Sequence, residues 1–293
     1  MSATARAHPL SASLRPGRLS YLVGRALFYA VTLVVVGATL FPLYWMFVTS
    51  ARVLQENGDF PPLLWPRQWD WSPYVSVFTQ FPLGRWLYHS LEVAGLVTVL
   101  VLVFATLGAY PLACMGWRGR STFGFFLFFT QMMPEAMIVV PIYVLYRRIG
   151  IVENLPALAV VDAAFVVPVG VWILKSVFEG VPSEVREAAQ VDGCSQLGVL
   201  WRIILPLSKG GLVAVAVSAF FYGWNEYLFA STMITLEDIR PASLGLASFL
   251  GFSGPLISRA MAGGWVYAVI PTIFYLVAQR QLVVGLTAGA VKG

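Results

Sequence analysis

The chain consists of long apolar segments separated by shorter polar ones. Six segments are apolar over about 20 residues or more, the length at which a helix spans the hydrocarbon core of a bilayer. They lie at 26–50, 86–113, 122–146, 155–178, 211–234 and 263–284. A helix satisfies its own backbone polar groups where no water is present. The pattern therefore predicts an all-α polytopic membrane protein with six transmembrane helices.

Composition supports a multi-pass membrane protein. Apolar residues make up 58% of the 293 residues and charged residues 11%, and the mean hydropathy is +0.77. Such a chain has too little polar surface to cover a water-soluble globule. The net charge of +5 follows from basic loops, so no nucleic-acid partner is predicted.

The distribution of Lys and Arg predicts the orientation. Of the 19 basic residues, 12 lie on the face that holds both termini. Basic residues resist translocation, so both termini are predicted to be cytoplasmic. The expected organisation is a disordered cytoplasmic arm (1–25), a first transmembrane helix (26–50), an external loop (51–85), a transmembrane core (86–285) with a cytoplasmic loop (179–209), and a cytoplasmic tail (286–293). Prolines and aromatic residues between 60 and 71 favour anchoring at the headgroup boundary.

The cytoplasmic loop reads as two short helices joined by a turn. Pro182 suits a first helical turn, and Gly193 supplies the freedom to end that helix. The first helix is predicted to present one nearly flat face, made of Val185, Ala188, Ala189 and Asp192. Such a face can enter a groove closely.

The second helix is predicted to begin at Ser195, a favourable N-cap. One of its faces is predicted to hold Leu197, Leu200, Trp201 and Ile204. Pro206 disfavours helical geometry at Leu205 and predicts a bend before the fifth membrane helix. On physical grounds alone, an amphipathic pair lying on the membrane surface is an equal alternative.

A longer pattern in this loop resembles a known family. The loop contains Glu187-Ala188-Ala189, then Gly193 after three further residues, and Ile203-x-Leu205-Pro206 after nine more. This spacing resembles the signature of permease subunits of binding-protein-dependent ABC importers, and it matches at every specified position. Three further segments are similar to the carbohydrate branch of this family, and specifically to its maltose-permease-type second subunit. They are Trp224-Asn225-Glu226, Gln279-Arg280 and the terminal run 285–293.

The resemblance implies a type I ABC importer permease fold in a bacterial or archaeal cell membrane. It implies a coupling loop that docks on a cytoplasmic ATPase, a tail that reaches the ATPase dimer interface, and ATP and Mg bound by the ATPase rather than by this chain. The implied partners are a second homologous permease, two ATPase copies and an extracytoplasmic sugar-binding protein. The coupling residues are Glu187, Ala188, Ala189, Asp192, Gly193, Ile203, Leu205 and Pro206, and the tail residues are Thr287, Ala288, Gly289 and Lys292.

Motifs for catalysis are missing from the sequence. A phosphate-binding loop needs Gly before its Lys, and the three lysines follow Leu, Ser and Val. His8 and His89 are too far apart in the predicted topology to form a paired metal site. We therefore expect no catalytic, cofactor or metal site. Cys114 and Cys194 are expected to be lone thiols.

Four acidic residues fall inside the predicted spans. Burying a carboxylate in hydrocarbon is costly and marks a cavity or a paired network. All four are predicted to lie in the outer third of the membrane, where they could form the floor of an external vestibule that binds sugar. The pathway candidates are Glu92, Glu135, Asp162, Tyr222, Trp224, Asn225 and Glu226.

Other interpretations remain open. The acidic residues could bond only to neighbouring helices, and the companion permease could supply most substrate contacts. A different class, an ion-coupled secondary transporter, would use these carboxylates to carry protons or cations. A regulatory or scaffold membrane protein is a third option.

Overall fold

A computed structural model describes residues 18–249 and 255–290, with side chains at 21–249 and 257–281. The described part is helical apart from loops and one isolated bridge between Arg52 and Trp69. Its helices are α1 (Arg18–Ser50), α2 (Ser72–Thr79), α3 (Leu83–Cys114), α4 (Arg120–Thr130), α5 (Glu135–Ile149), α6 (Leu155–Glu179), α7 (Ser183–Val191), α8 (Gln196–Val199), α9 (Leu205–Leu207), α10 (Lys209–Trp224), α11 (Leu228–Met233), α12 (Ala242–Ala247) and α13 (Pro255–Ala290).

The predicted number of membrane crossings agrees with the described helices. Five stretches are long and apolar enough to cross a bilayer, and α4 with α5 provides a sixth if the pair counts as one span. The span predicted at 122–146 is not one continuous helix, because α4 and α5 meet at 92°. Pro134 precedes α5 and has no N–H to extend α4, which disfavours a continuous helix at this point.

Several predicted boundaries also differ. Helix α1 begins at Arg18, so residues 18–25 are helical rather than disordered. Apolar residues such as Tyr21, Leu22 and Val23 extend the helical pattern of the first span toward the N-terminus. The rest of the predicted arm, residues 1–17, lies outside the described residues, and α13 continues to Ala290 within the predicted tail.

The chain divides into two compact units, with the division after Met46. In the first unit, the described side chains from Tyr21 to Leu43 are all exposed on a single helix. An apolar helix with this exposure fits a lipid or protein environment rather than water. The second unit begins at Phe47 and contains the packed core.

The core forms where α6 packs against α3 and α10. Gly170 of α6 lies at this junction, and a Cβ there would be 2.9 Å from the Ala105 Cβ and 3.2 Å from Val101 and Val215 methyl carbons. Helices in membranes associate through close packing, which small residues permit. Gly223 of α10 makes a similar approach, with its Cβ position 3.0 Å from the Ala94 Cα.

Two buried charged residues hold the loop that follows α1. Arg52 donates to Asn57 Oδ1 (2.6 Å) and to the Leu63 carbonyl (3.1 Å), while the Glu56 carboxylate accepts the N–H groups of residues 67 and 68. Burial lowers the pKa of the Arg52 guanidinium, and the nearby Glu56 carboxylate opposes this change. The loop is therefore fixed by its own hydrogen bonds.

The junction of α3, α6 and α10 gives a direct test of the fold. We expect Gly170→Val to lower the free energy of unfolding by about 1–3 kcal/mol, since the added methyl groups collide with neighbouring helices. Thermal unfolding of the purified protein in detergent measures this change. Gly95→Val on α3 is the control, because nothing lies within 4 Å of a Cβ there. Equal melting temperatures for the two variants would contradict the packing.

Candidate functional site

The loop between α6 and α10 has the predicted arrangement of helix, turn and helix. Helix α7 ends at Val191, and Gly193 adopts a left-handed conformation with φ of +86°. A Cβ at Gly193 would meet nothing within 4 Å, so the backbone angle rather than space favours glycine here. The Ser195 hydroxyl then accepts the Gly198 N–H (3.1 Å) and caps α8.

Two polar contacts fasten this loop to one end of α3. Arg186 of α7 donates to the Cys114 carbonyl (3.1 Å). The Tyr110 hydroxyl lies 3.0 Å from the Gln196 carbonyl oxygen and 2.9 Å from its side-chain oxygen. These contacts join residues more than 70 positions apart, and local sequence patterns therefore could not reveal them.

The second helix differs from its prediction at Pro206. Leu205 is helical, with φ of −62° and ψ of −46°, so the prediction of non-helical geometry at Leu205 is wrong. Residues Leu200–Ile204 form a π-helical turn in which the Leu205 N–H bonds to the Leu200 carbonyl. The wider turn accommodates the proline ring, and the chain breaks later, at Ser208 (φ −98°, ψ 17°).

The π turn also changes which side chains face inward. Of the four residues predicted to share one face, Leu200 and Ile204 are buried, whereas Leu197 and Trp201 are exposed, with Trp201 at 65%. A π turn holds more residues than an α turn, so the predicted face does not stay aligned. Among the coupling candidates, Ala189 is buried, Ile203 and Leu205 are half-buried, and the exposed members are Glu187, Ala188, Asp192, Gly193 and Pro206.

The outer surface of the loop combines charge with apolar area. Glu187 and Asp192 are exposed beside Val191, which is 88% exposed. Exposed apolar side chains rimmed by polar ones mark interaction sites. Of the tail candidates, Thr287, Ala288 and Gly289 lie on α13 with side chains outside the described residues, and Lys292 lies outside them altogether.

Three of the four acidic candidates come together. Asp162 is fully buried and lies within electrostatic range of Glu226 and Glu135. The Tyr222 hydroxyl donates to Glu135 Oε1 (2.7 Å). Glu92 instead pairs with His89, with 3.6 Å between Glu92 Oε2 and His89 Nδ1. We refer to Glu135, Asp162, Tyr222 and Glu226 as the acidic cluster.

Two members of the acidic cluster, Asp162 and Glu226, are buried, and Glu135 and Tyr222 are half-buried. Glu226 is buried, and its Oε1 accepts the N–H groups of Phe229 and Ala230 in the first turn of α11. Trp224 is also fully buried and stacks on Tyr267 at 4.9 Å. Asn225 is the one exposed residue among the predicted pathway residues Tyr222, Trp224, Asn225 and Glu226. Bonding within the bundle therefore fits Glu226 better than sugar contact.

Comparison with known proteins identifies the family. The family described as "Binding-protein-dependent transport system inner membrane component" matches residues 101–283. The chain belongs to this family. The match covers the coupling loop, the acidic cluster and most of α13. The chain is therefore a transmembrane permease of an ABC importer and is not an enzyme.

Individual relatives agree with this assignment. The chain is 33% identical to the inner membrane ABC transporter permease protein YcjP of Escherichia coli, covering 94% of this chain and 97% of that one. It is 33% identical to the trehalose/maltose transport system permease protein MalG of Thermococcus litoralis, covering 87% and 92%. Its fold matches a solved bacterial ABC transporter for alginate import with a TM-score of 0.78 at 20% identity, covering 92% and 99%.

The contact between Tyr110 and Gln196 predicts a role in transmitting motion. We expect Tyr110→Phe to leave the protein folded and to lower substrate-stimulated ATPase activity of the assembled transporter by about fivefold, because the loop loses a bond worth about 1 kcal/mol. Tyr143→Phe on α5 is the control, since the Tyr143 hydroxyl has no hydrogen bond within the described residues. Equal ATPase activities in the two variants would contradict this role.

The bonds of Glu226 predict different outcomes for two substitutions. Glu226→Gln keeps an acceptor oxygen for the first turn of α11, so assembly and uptake should stay near those of the parent. Glu226→Ala leaves those N–H groups unbonded at membrane depth, and we expect about 1–3 kcal/mol less stability. Monodispersity on size-exclusion chromatography and substrate uptake measure both effects. Normal assembly with abolished uptake in Glu226→Gln would instead favour direct substrate contact.

Proposed function

We propose that this chain is a membrane subunit of an ATP-driven sugar importer, in which it forms part of the translocation pathway and couples it to cytoplasmic ATPase subunits. The exposed coupling loop, fastened to α3, is the observation that carries the proposal. Relatives named as transporters for trehalose and maltose support sugar as the cargo class.

The loop has the features of a docking element. Glu187, Ala188 and Gly193 are exposed on its outer surface, while Ala189 and the stripe of Leu200 and Ile204 hold its inner surface against the core. A partner pushing on the outer surface would move a rigid pair of helices rather than a loose loop. The bonds from Arg186 and Tyr110 would pass that movement to α3.

The proposed assembly contains four kinds of subunit. Besides this chain it has a second homologous permease, two copies of an ATPase that bind ATP and Mg, and an extracytoplasmic sugar-binding protein. One solved structural neighbour, at a TM-score of 0.65, is an alginate ABC transporter in complex with an alginate pentasaccharide-bound periplasmic protein. We extend the proposal to the tail, where Thr287, Ala288, Gly289 and Lys292 would contact the ATPase dimer.

The ion-coupled alternative is not favoured. The family is binding-protein-dependent. In the acidic cluster, Glu226 is committed to main-chain N–H groups and Glu135 accepts from Tyr222. Among the described residues, no group of three or more His, Cys, Asp and Glu side chains could hold a metal ion.

Reconstitution of the intact transporter tests the proposal. The complex in proteoliposomes, with ATP on the ATPase side and the binding protein on the other, should take up a neutral sugar such as maltose or trehalose. Glu187→Ala should reduce uptake and sugar-stimulated ATPase activity at least fivefold. Glu184→Ala, an exposed glutamate on the same helix, should have little effect. The same assay on a chain that ends at Leu286 tests the tail.

Two results would contradict the proposal. Uptake that persists without ATP and collapses with an ion gradient would favour a secondary transporter. Equal behaviour of Glu187→Ala and Glu184→Ala would show that the loop does not dock through Glu187.

A further inference from the structure

The break between α10 and α11 opens a pocket that differs from the predicted vestibule. Its volume is about 370 Å³, within the range of small-molecule sites. Its polar lining consists of Asn225, Tyr227, Ser243 and Tyr267, and its apolar lining includes Leu246 and Met261. None of the described residues that line it is charged.

The pocket lies at membrane depth. Asn225 follows the 16 residues of α10, which places it about 24 Å from the Lys209 end at a rise of about 1.5 Å per residue. The hydrocarbon core is about 30 Å thick. A polar surface that opens at this depth must face a water-filled cavity or another protein, because lipid cannot satisfy its hydrogen bonds.

Hydrogen bonds fix the polar lining. The Asn225 amide nitrogen donates to the Phe221 carbonyl (2.8 Å), and the Tyr267 hydroxyl donates to the Trp224 carbonyl (2.6 Å). The Ser243 hydroxyl donates to the Glu226 carbonyl. The Tyr267 and Ser243 donors satisfy the Trp224 and Glu226 carbonyl groups at the break, while the Phe221 carbonyl also keeps its helical bond from the Asn225 N–H. The lining is therefore preorganised.

Unused hydrogen-bonding capacity remains at the pocket surface. The Asn225 side-chain oxygen and the Ser243 hydroxyl oxygen can still accept bonds. The Tyr227 hydroxyl has no hydrogen-bond partner within the described residues, and Tyr227 is 48% exposed. Two tyrosine rings, a neutral amide and a hydroxyl are together suited to a ligand that carries hydroxyl groups and an apolar ring face.

We propose that this pocket is a subsite of the translocation pathway that contacts one unit of a neutral sugar. This inference rests on the proposed function. We expect the sugar to be neutral because the described lining of the pocket carries no charge. An anionic sugar would find no cation among the described lining residues. Burying an anion without a partner is costly. The chain thus differs in expected cargo from its structural neighbour, which imports the acidic polysaccharide alginate.

Uptake kinetics give the first test. In the reconstituted transporter, Tyr227→Phe should raise the KM for maltose or trehalose, whichever is transported, about fivefold. The matched control is Tyr275→Phe, because Tyr275 is 45% exposed on α13 and does not line the pocket. An unchanged KM in Tyr227→Phe would overturn the subsite.

Thiol labelling gives a second test that does not depend on turnover. Cys114 and Cys194 are replaced by serine, Tyr227→Cys is introduced, and a membrane-impermeant maleimide is applied to the complex in the absence of ATP and in its presence. We expect labelling in at least one state and protection by the transported sugar, but none by an alginate oligosaccharide. Labelling without protection, or no labelling in either state, would overturn the subsite.

Different results would contradict the proposed function and the proposed subsite. If the parent complex takes up neither maltose, trehalose nor alginate oligosaccharide, the proposed function fails. If the parent imports a neutral sugar while the Tyr227 variants behave like Tyr275→Phe, the subsite alone fails. Import of alginate oligosaccharide by the parent would retain an importer but overturn the neutral-sugar assignment.

Discussion

The close packing of α6 against α3 and α10 is the contact on which the rest of the structure depends. Inside a bilayer, apolar side chains gain little by leaving lipid, so helices must associate through close surface contact. Gly170 allows α6 to approach the Ala105 Cβ and two valine methyl carbons to near the limit of contact. The three helices joined there support the coupling loop, the acidic cluster and the pocket at the α10–α11 break.

The coupling loop depends on this core through α3. Tyr110 and the Cys114 carbonyl lie in the last two turns of α3, and they bond to both helices of the loop. A loop linked to the membrane only through its two chain ends could move by bending. Because this loop is also fastened from the side, a force on α7 must displace α3 or break those bonds. In the proposed function, this arrangement would let a small surface helix act on the membrane core.

A second constraint acts at the α10–α11 break. A helix that stops inside hydrocarbon leaves carbonyl and N–H groups unbonded, and each costs several kcal/mol if it stays so. Here Tyr267 and Ser243 donate to the freed Trp224 and Glu226 carbonyls, while the Glu226 carboxylate accepts from the next helix. Tyr267 and Ser243 also line the pocket. The proposed subsite would therefore use residues that also satisfy the backbone at the break.

The sequence by itself determined the membrane class, the number of crossings and the coupling motif, because these depend on apolar length and residue spacing along the chain. It also placed the turn at Gly193 and the cap at Ser195, which are local effects. Tertiary structure decided the rest. The bend between α4 and α5, the π turn before Pro206 and the burial of Trp224 depend on how neighbouring helices fill space. The contacts of Tyr110, Arg186 and Tyr267 join residues 43 to 86 positions apart, so only the packed helices could bring them together.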